Sequence, residues 1–343
     1  MGTLRLLRLT GTLILGCSAS LAQAGTLGAY NIDPAKVTVS GISSGGAMAV
    51  QVHVAYSATF KGAAIFAGAA YNCAEGILAN ALTRCMNAAS ASQIPVATLA
   101  STTVEWARQG LIDDPANLAR SQVYLFSGTL DAIVRQPGMD AARNYYEAFV
   151  KPASIVYNNA TPAGHAWISP LGPNLCELTR SPYINNCGID PEQSFLSHFY
   201  GALNPKAASV LSGKFLPFDQ SEFLDDHNPA AHSVDANGWA YVPASCAQGK
   251  RCGVHVAFHG CNQGYTKVGD QFFRRTGLNE WADTNNLVVL YPQAVPTTTT
   301  SIVNGQGCWD WWGYDQANYA QRKGPQILMT KRMVDRVMSG YRS

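Results

Sequence analysis

The sequence predicts an α/β fold, with a mostly parallel sheet covered by helices on both faces. Three observations predict it. Short, largely apolar runs such as Gly62–Phe66, Gln122–Phe126 and Leu287–Tyr291 fit strands buried on both sides. Segments of helical period stand between such runs, the alternation that builds parallel sheets. A serine flanked by glycines, in Gly41-Ile42-Ser43-Ser44-Gly45, sits between a strand pattern and a helix pattern.

Taken in order, the chain opens on an expected export signal, residues 1–24. Arg5 and Arg8 precede the uncharged, mostly apolar Leu9–Leu21, and Ala22-Gln23-Ala24 supplies the small residues of a cleavage site, so that a mature chain would begin at Gly25. The apolar run is short for a transmembrane helix and nothing comparable follows it, so no stable membrane insertion is expected. A lipoprotein alternative would acylate Cys17 after Ile14-Leu15-Gly16, but Leu15 is bulky and a good Ala-x-Ala site follows.

Lys36–Ser40 alternates and ends in β-branched residues, predicting a strand, and Ala47–Tyr56 a helix. Met139–Phe149 has helical spacing with Tyr145, Tyr146 and Phe149 on one apolar face, and Ser154–Tyr157 is the next strand candidate. Pro170–Asn228, rich in Pro, Gly and Asn, reads as irregular excursions. Beyond it, Gly238–Val242 and Val254–Phe258 read as strands, Gln271–Asp283 as a helix and Ile327–Met338 as a closing helix. Neither internal repeats nor a Ser/Thr/Pro linker interrupt the pattern, so residues 25–343 are expected to form one catalytic domain without a separate substrate-binding domain.

With 47% hydrophobic residues the chain has ample material for a large core, and a net charge of +2 without Lys/Arg clusters excludes nucleic acid as a partner class. Of nine cysteines, eight follow the expected signal, an even set that suits a disulfide framework in an exported protein. Connectivity does not follow from sequence; the pairing we expect is Cys73–Cys85, Cys176–Cys187, Cys246–Cys252 and Cys261–Cys308. No Cys-x-x-Cys pair or flanking histidines suggest a metal site, and no cofactor is expected. No feature decides oligomeric state; a monomer is the expectation.

The chemistry centres on Ser43. In Gly-x-Ser-x-Gly the serine occupies a strained strand-to-helix turn, where neighbouring backbone must approach closely. A serine hydroxyl is a poor nucleophile until a base takes its proton, so a histidine and an orienting acid must exist, in the order Ser, Asp or Glu, His. Asp131 follows the strand Gln122–Phe126, and His165 follows Ser154–Tyr157. Both lie in loops at the sheet's carboxyl end, where open α/β sheets bind ligands. Asp113 and Asp140 read instead as surface or cap residues, His53 as a helix residue, and His198, His227 and His232 as solvated. The developing oxyanion needs donors: the Ser44 N–H at the helix start is one, and Phe258-His259-Gly260-Cys261 is the candidate for the second. A strand bearing that loop normally precedes the nucleophile. Here it comes far after it.

Together, Gly41–Gly46, Ser127–Val134, Gly164–Trp167, His259-Gly260-Cys261-Asn262-Gln263, Tyr291-Pro292-Gln293 and Gly307-Cys308-Trp309-Asp310-Trp311-Trp312 resemble secreted short-chain-length polyhydroxyalkanoate depolymerases, over nearly all of the chain after the signal. More narrowly they resemble the type 2 catalytic domain, whose α/β-hydrolase fold is circularly permuted. Rotating the chain so that Gly238–Tyr341 comes first restores the usual order. The resemblance implies a serine esterase acting on poly(3-hydroxybutyrate) or its oligomers, with Ser43, Asp131 and His165 as triad and backbone N–H groups of Ser44 and Cys261 as oxyanion hole. It also implies a Cys261–Cys308 bridge tying the oxyanion loop to the Trp-rich segment. Trp309, Trp311 and Trp312 are candidates for the substrate cleft, although core packing is expected of at least one. Many relatives carry a linker and a polymer-adsorbing domain absent from this sequence, so adsorption would fall to exposed apolar residues. Elbow and triad report acyl transfer rather than substrate. A feruloyl, acetylxylan or general carboxylesterase therefore stays open, as does a non-catalytic polymer-binding protein on the same scaffold.

Overall fold

The computed structural model describes residues 24–342. The expected export signal, apart from Ala24, and Cys17 lie outside them. Eight strands form the main sheet: β1 (Ile32–Ile42), β2 (Gly62–Phe66), β3 (Gln122–Phe126), β4 (Ile155–Asn158), β5 (Lys214–Asp219), β6 (Asn237–Val242), β7 (Cys252–Phe258) and β8 (Leu287–Tyr291). They lie side by side as β4-β3-β2-β1-β7-β8-β6-β5. From β4 to β8 every neighbouring pair is parallel, and β6 and β5 close the edge antiparallel.

Pairing on both sides explains the composition of the central strands. In β7 every residue is buried. Val254, Val256 and Phe258 belong to the core on one face and Ala257 to the core on the other, as the two-residue period of a strand requires. The polar exception, His255, is satisfied within the sheet by Thr38 Oγ1 at 2.8 Å and Ser40 Oγ at 2.7 Å. Helices cover both faces. α1 (Ser44–Ala55), α2 (Val96–Arg108), α3 (Gln136–Glu147) and α6 (Pro325–Met338) pack on the face of Val254, while α4 (Pro191–Tyr200) and α5 (Leu278–Asn285) pack on the face of Ala257. No residue of α1 reaches the surface, which is why it is built mostly from Ala, Val, Met and Gly without a polar face, its Ser44, Gln51 and His53 being buried as well.

Counted from β5, the sheet reads 1-2-4-3-5-6-7-8, with the elbow strand β1 fifth and the strand of the His-Gly-Cys loop third. The chain is a circularly permuted α/β-hydrolase, and among the described residues the segment before β1 meets the end of α6, as the permutation requires. Tyr30 N–H donates to Val337 O at 2.8 Å, and Arg342 N–H to Asn31 Oδ1 at 3.1 Å.

Two sequence expectations need correction. The stretch Pro170–Asn228 is not irregular throughout, since it holds α4 and the edge strand β5. The helix expected over Gln271–Asp283 is two, Gln271–Arg275 and α5, because Gly277 takes a left-handed conformation (φ 77°) that no helix continues through. The four expected cysteine pairs, Cys73–Cys85, Cys176–Cys187, Cys246–Cys252 and Cys261–Cys308, are disulfide-bonded. Four disulfides fit an oxidising compartment. Among the described residues no helix is long and apolar enough to cross a membrane.

Candidate active site

Strand β1 runs directly into α1 through Ser43, whose φ of 59° and ψ of −125° lie outside the regions a side-chain-bearing residue prefers. Two close approaches hold it there. A Cβ on Gly41 would stand 2.1 Å from Gly45 O, and one on Gly45 would stand 2.3 Å from His259 O and 2.5 Å from Phe258 O. Glycine at both positions lets the turn close tightly and press against the end of β7. The amide of Ser43 is spent on Phe66 O (2.9 Å), so the turn is also tied to β2.

Asp131 leaves the carboxyl end of β3 and His165 follows β4, so both emerge at the end of the sheet that carries Ser43. Their side chains meet: His165 Nδ1 lies 2.7 Å from Asp131 Oδ2. The other carboxylate oxygen, Oδ1, accepts the N–H groups of Ile133 (2.8 Å) and Val134 (2.9 Å), so Asp131 is aimed by its own loop. The pair is screened from water, with side-chain exposures of 9% for His165 and 1% for Asp131. His165 is placed from behind: its N–H donates to Thr179 Oγ1 (2.9 Å), and Gly164 N–H to Cys176 O (2.9 Å). The Cys176–Cys187 bridge thus ties down the segment that supports the histidine. Among the described residues no hydrogen bond joins His165 Nε2 to Ser43 Oγ.

Ser43 opens instead into a cavity of about 230 Å³ that Ser44 and Cys261 also line. The N–H groups of Ser44 and Cys261 have no acceptor among the described residues. For Ser44 this follows from its place at the start of α1, where the first amides have no partner in the helix. Cys261 arrives from the far half of the chain on the loop after β7, held by its disulfide to Cys308. Two unspent donors lining the same cavity as one hydroxyl can receive an anion such as an ester's tetrahedral intermediate.

The walls of the cavity are apolar. Trp311 and Trp312 line it, together with Met86, Val134, Leu78 and Leu82. Trp309 does not: it is fully buried, its ring 4.9 Å from Phe258 and 5.3 Å from His259, and it belongs to the core. Its backbone still serves the site, because Trp309 N–H donates to Ser44 Oγ at 3.2 Å. The next residue, Asp310, accepts the N–H groups of Gly313, Tyr314 and Asp315 and thereby shapes the turn bearing Trp311 and Trp312. Burial pushes the Asp310 carboxyl up to about 6.

Of the histidines set aside from the sequence, His53 is buried against Tyr146 OH and Ser121 Oγ, both at 3.0 Å. His232 is not solvated as expected, but lies between Asp315 (2.8 Å) and Asp226 (3.3 Å). Thr179, Met86 and Gln263 escaped the sequence reading. Only Gln263 carried a signal, as part of the His259–Gln263 motif; its amide accepts Gly260 N–H (2.8 Å) and donates to Tyr183 O (2.9 Å), linking the two loops of the site.

No family model matches the chain. A poly(3-hydroxybutyrate) depolymerase of Delftia acidovorans is 50% identical over 325 residues, which is 94% of this chain but 63% of that protein, so the chain spans less than two thirds of its length. A polyhydroxybutyrate depolymerase of Talaromyces funiculosus is 37% identical over 341 residues, 96% of this chain and 97% of the other. Among solved structures, the PHB depolymerase from Penicillium funiculosum superposes with a TM-score of 0.85 at 37% identity, covering 92% of this chain and 100% of that one. A serine-to-alanine variant of a PHB depolymerase complexed with an R3HB trimer gives the same score and coverage at 36% identity.

Proposed function

Because the chain belongs to the polyhydroxybutyrate depolymerase family, we propose that it hydrolyses poly(3-hydroxybutyrate) or its oligomers through an acyl-enzyme on Ser43. The observation that carries this reading is the meeting of one strained serine hydroxyl with two unspent amides in an apolar cavity. His165, oriented by Asp131, takes the Ser43 proton as the hydroxyl attacks the ester carbonyl. Ser43 and His165 are not bonded at rest, and such contacts commonly tighten only with substrate in place. The tetrahedral oxyanion rests on the N–H groups of Ser44 and Cys261. His165 then protonates the departing hydroxyl and activates the water that releases the acyl group. The chemistry requires neither metal nor organic cofactor.

Trp311 and Trp312 supply flat apolar walls suited to the methyl groups of a polyester. Leu78, Leu82 and Val303 line the same cavity and are themselves exposed. They form a rim on which a solid polymer would adsorb, as expected of residues 25–343 acting as one exported, monomeric catalytic domain. The decisive experiment is product analysis on amorphous polymer beside soluble esters, with Ser43→Ala as control. Release of 3-hydroxybutyrate oligomers that Ser43→Ala abolishes is expected. Release of ferulate or acetate from plant wall material, without clearing of polymer, would overturn the substrate.

A further inference from the structure

We propose that His259 is a positioning residue, one that fixes the Gly260–Cys261 peptide so that its N–H faces the Ser43 hydroxyl. The inference rests on the reading of Ser43 and Cys261 given above and deepens it. His259 is fully buried directly after β7 and makes two hydrogen bonds, both with backbone. Nε2 lies 3.0 Å from Ala294 N, and Nδ1 lies 2.7 Å from Gly260 O. A backbone N–H can only donate, so Nε2 accepts from Ala294 and the ring proton sits on Nδ1, where it donates to the Gly260 carbonyl. No other state of the ring satisfies both partners.

The carbonyl of Gly260 and the N–H of Cys261 belong to one planar peptide and point to opposite sides of it. Holding the carbonyl against the core therefore turns the N–H outward. The outward side is the nucleophile's: Ser43 and Cys261 line one cavity, and Gly260 abuts the serine, since a Cβ on it would lie 3.2 Å from Ser43 Cβ. The preceding peptide is held too, since Gly260 N–H donates to Gln263 Oε1 at 2.8 Å. A hydrogen bond received at the carbonyl also polarises the amide and strengthens its N–H as a donor. The buried His53 and His255 offer a contrast, for they bond side-chain hydroxyls and leave the backbone of the site alone.

Two substitutions separate orientation from packing. His259→Asn keeps an amide donor near the place of Nδ1, whereas His259→Gln keeps an acceptor near Nε2 and leaves nothing to hold the carbonyl. Both lose the ring's contact with Trp309. Each is assayed on p-nitrophenyl butyrate and titrated with an alkyl trifluoromethyl ketone, which forms a tetrahedral adduct with serine, and with the matching methyl ketone. Loss of a whole oxyanion donor costs roughly 10²–10³ in rate; a misaimed one should cost about 10- to 100-fold. His259→Gln is expected to lower kcat by that factor with KM little changed. Its affinity for the trifluoromethyl ketone should fall in parallel, that for the methyl ketone should not, and His259→Asn should retain most activity. Equal losses in both variants, or none in His259→Gln, would overturn the assignment. Nitrogen-15 shifts of the wild-type ring give a check that needs no variant: Nδ1–H is expected, and Nε2–H would overturn it. Ser43→Ala separates the two levels, since its retained turnover would remove the serine reading itself.

Discussion

Asp131 has little freedom. One oxygen meets His165 and the other is held by two amides of its own loop, so replacement by asparagine leaves the backbone supported while the imidazole loses the partner that keeps its proton on Nδ1. Asp131→Asn should lower kcat by about 10⁴ at neutral pH without lowering the melting temperature by more than a few degrees; a fall under tenfold would show that His165 needs no orienting acid. At this scale the sequence was legible wherever function is local. The two glycines beside Ser43 foretold its tight strand-to-helix turn, and the loops bearing Asp131 and His165 foretold that both side chains leave the sheet at one end, where they meet. Thr179, Gln263 and Met86 were not legible. Thr179 reaches the amide of His165 across 14 residues and Gln263 the carbonyl of Tyr183 across 80, so those roles go unmarked nearby, although the motif holding Gln263 was itself visible; Met86 is one apolar residue of the cavity wall among several. Trp309, alike in type to Trp311 and Trp312, differs only in the direction its position imposes.

Between residues and fold lie the loops that carry the site, and two depend on a staple of their own. The Cys176–Cys187 bridge closes a short loop whose backbone supports Gly164 and whose Thr179 supports His165. A bridge over a loop of this size stabilises by about 3 kcal/mol. Replacing both cysteines with serine should therefore cost ester hydrolysis at temperatures where circular dichroism still reports a folded sheet; activity lost only at global unfolding would count against that support. Asp310 plays the corresponding part for the Trp-rich turn. Asp310→Ala frees three amides, and should raise KM for oligomeric esters several-fold more than it lowers kcat, as steady-state kinetics would show. Element prediction failed for physical reasons at this level. The strand β5 contains Pro217 and half-exposed positions, as an edge strand tolerates but a buried one does not. Helix α4 did carry its start signal: Asp190 caps it by accepting Gln193 N–H, with Pro191 next, but the surrounding Pro, Gly and Asn masked it.

Across the whole molecule, burial sets the response to acid and the meeting of the termini sets the response to rewiring. Burial lowers His53 and His255 to about 3 and His259 to about 4. An unfolded histidine titrates near 6.5, so between that value and about 3 the unfolded chain takes up protons that the native one refuses. Each group's contribution is complete above pH of about 6.5 and drains away as the pH falls. A His255→Gln variant should then lose less stability than the parent on acidification, by about 1.4 kcal/mol per pH unit, in denaturant titrations from about pH 6 to about pH 4. A short linker from the end of α6 to Asn31, with new ends near the highly exposed Val210, should give a folded esterase within about tenfold of the parent; an inactive but folded product would mean that the ends matter beyond their proximity. The permuted order itself was visible in the sequence only because the His-Gly-Cys loop stands so far behind the serine. That arrangement also orders events in time. A ribosome that has made the first two hundred residues has released Ser43, Asp131 and His165, yet the amide of Cys261 and the bridge partner Cys308 are still to come, and β1 lacks its neighbour β7. Ester cleavage in a synchronised translation reaction should accordingly appear only once synthesis has passed the Trp-rich turn, so that a half-made chain is chemically harmless to any ester around it.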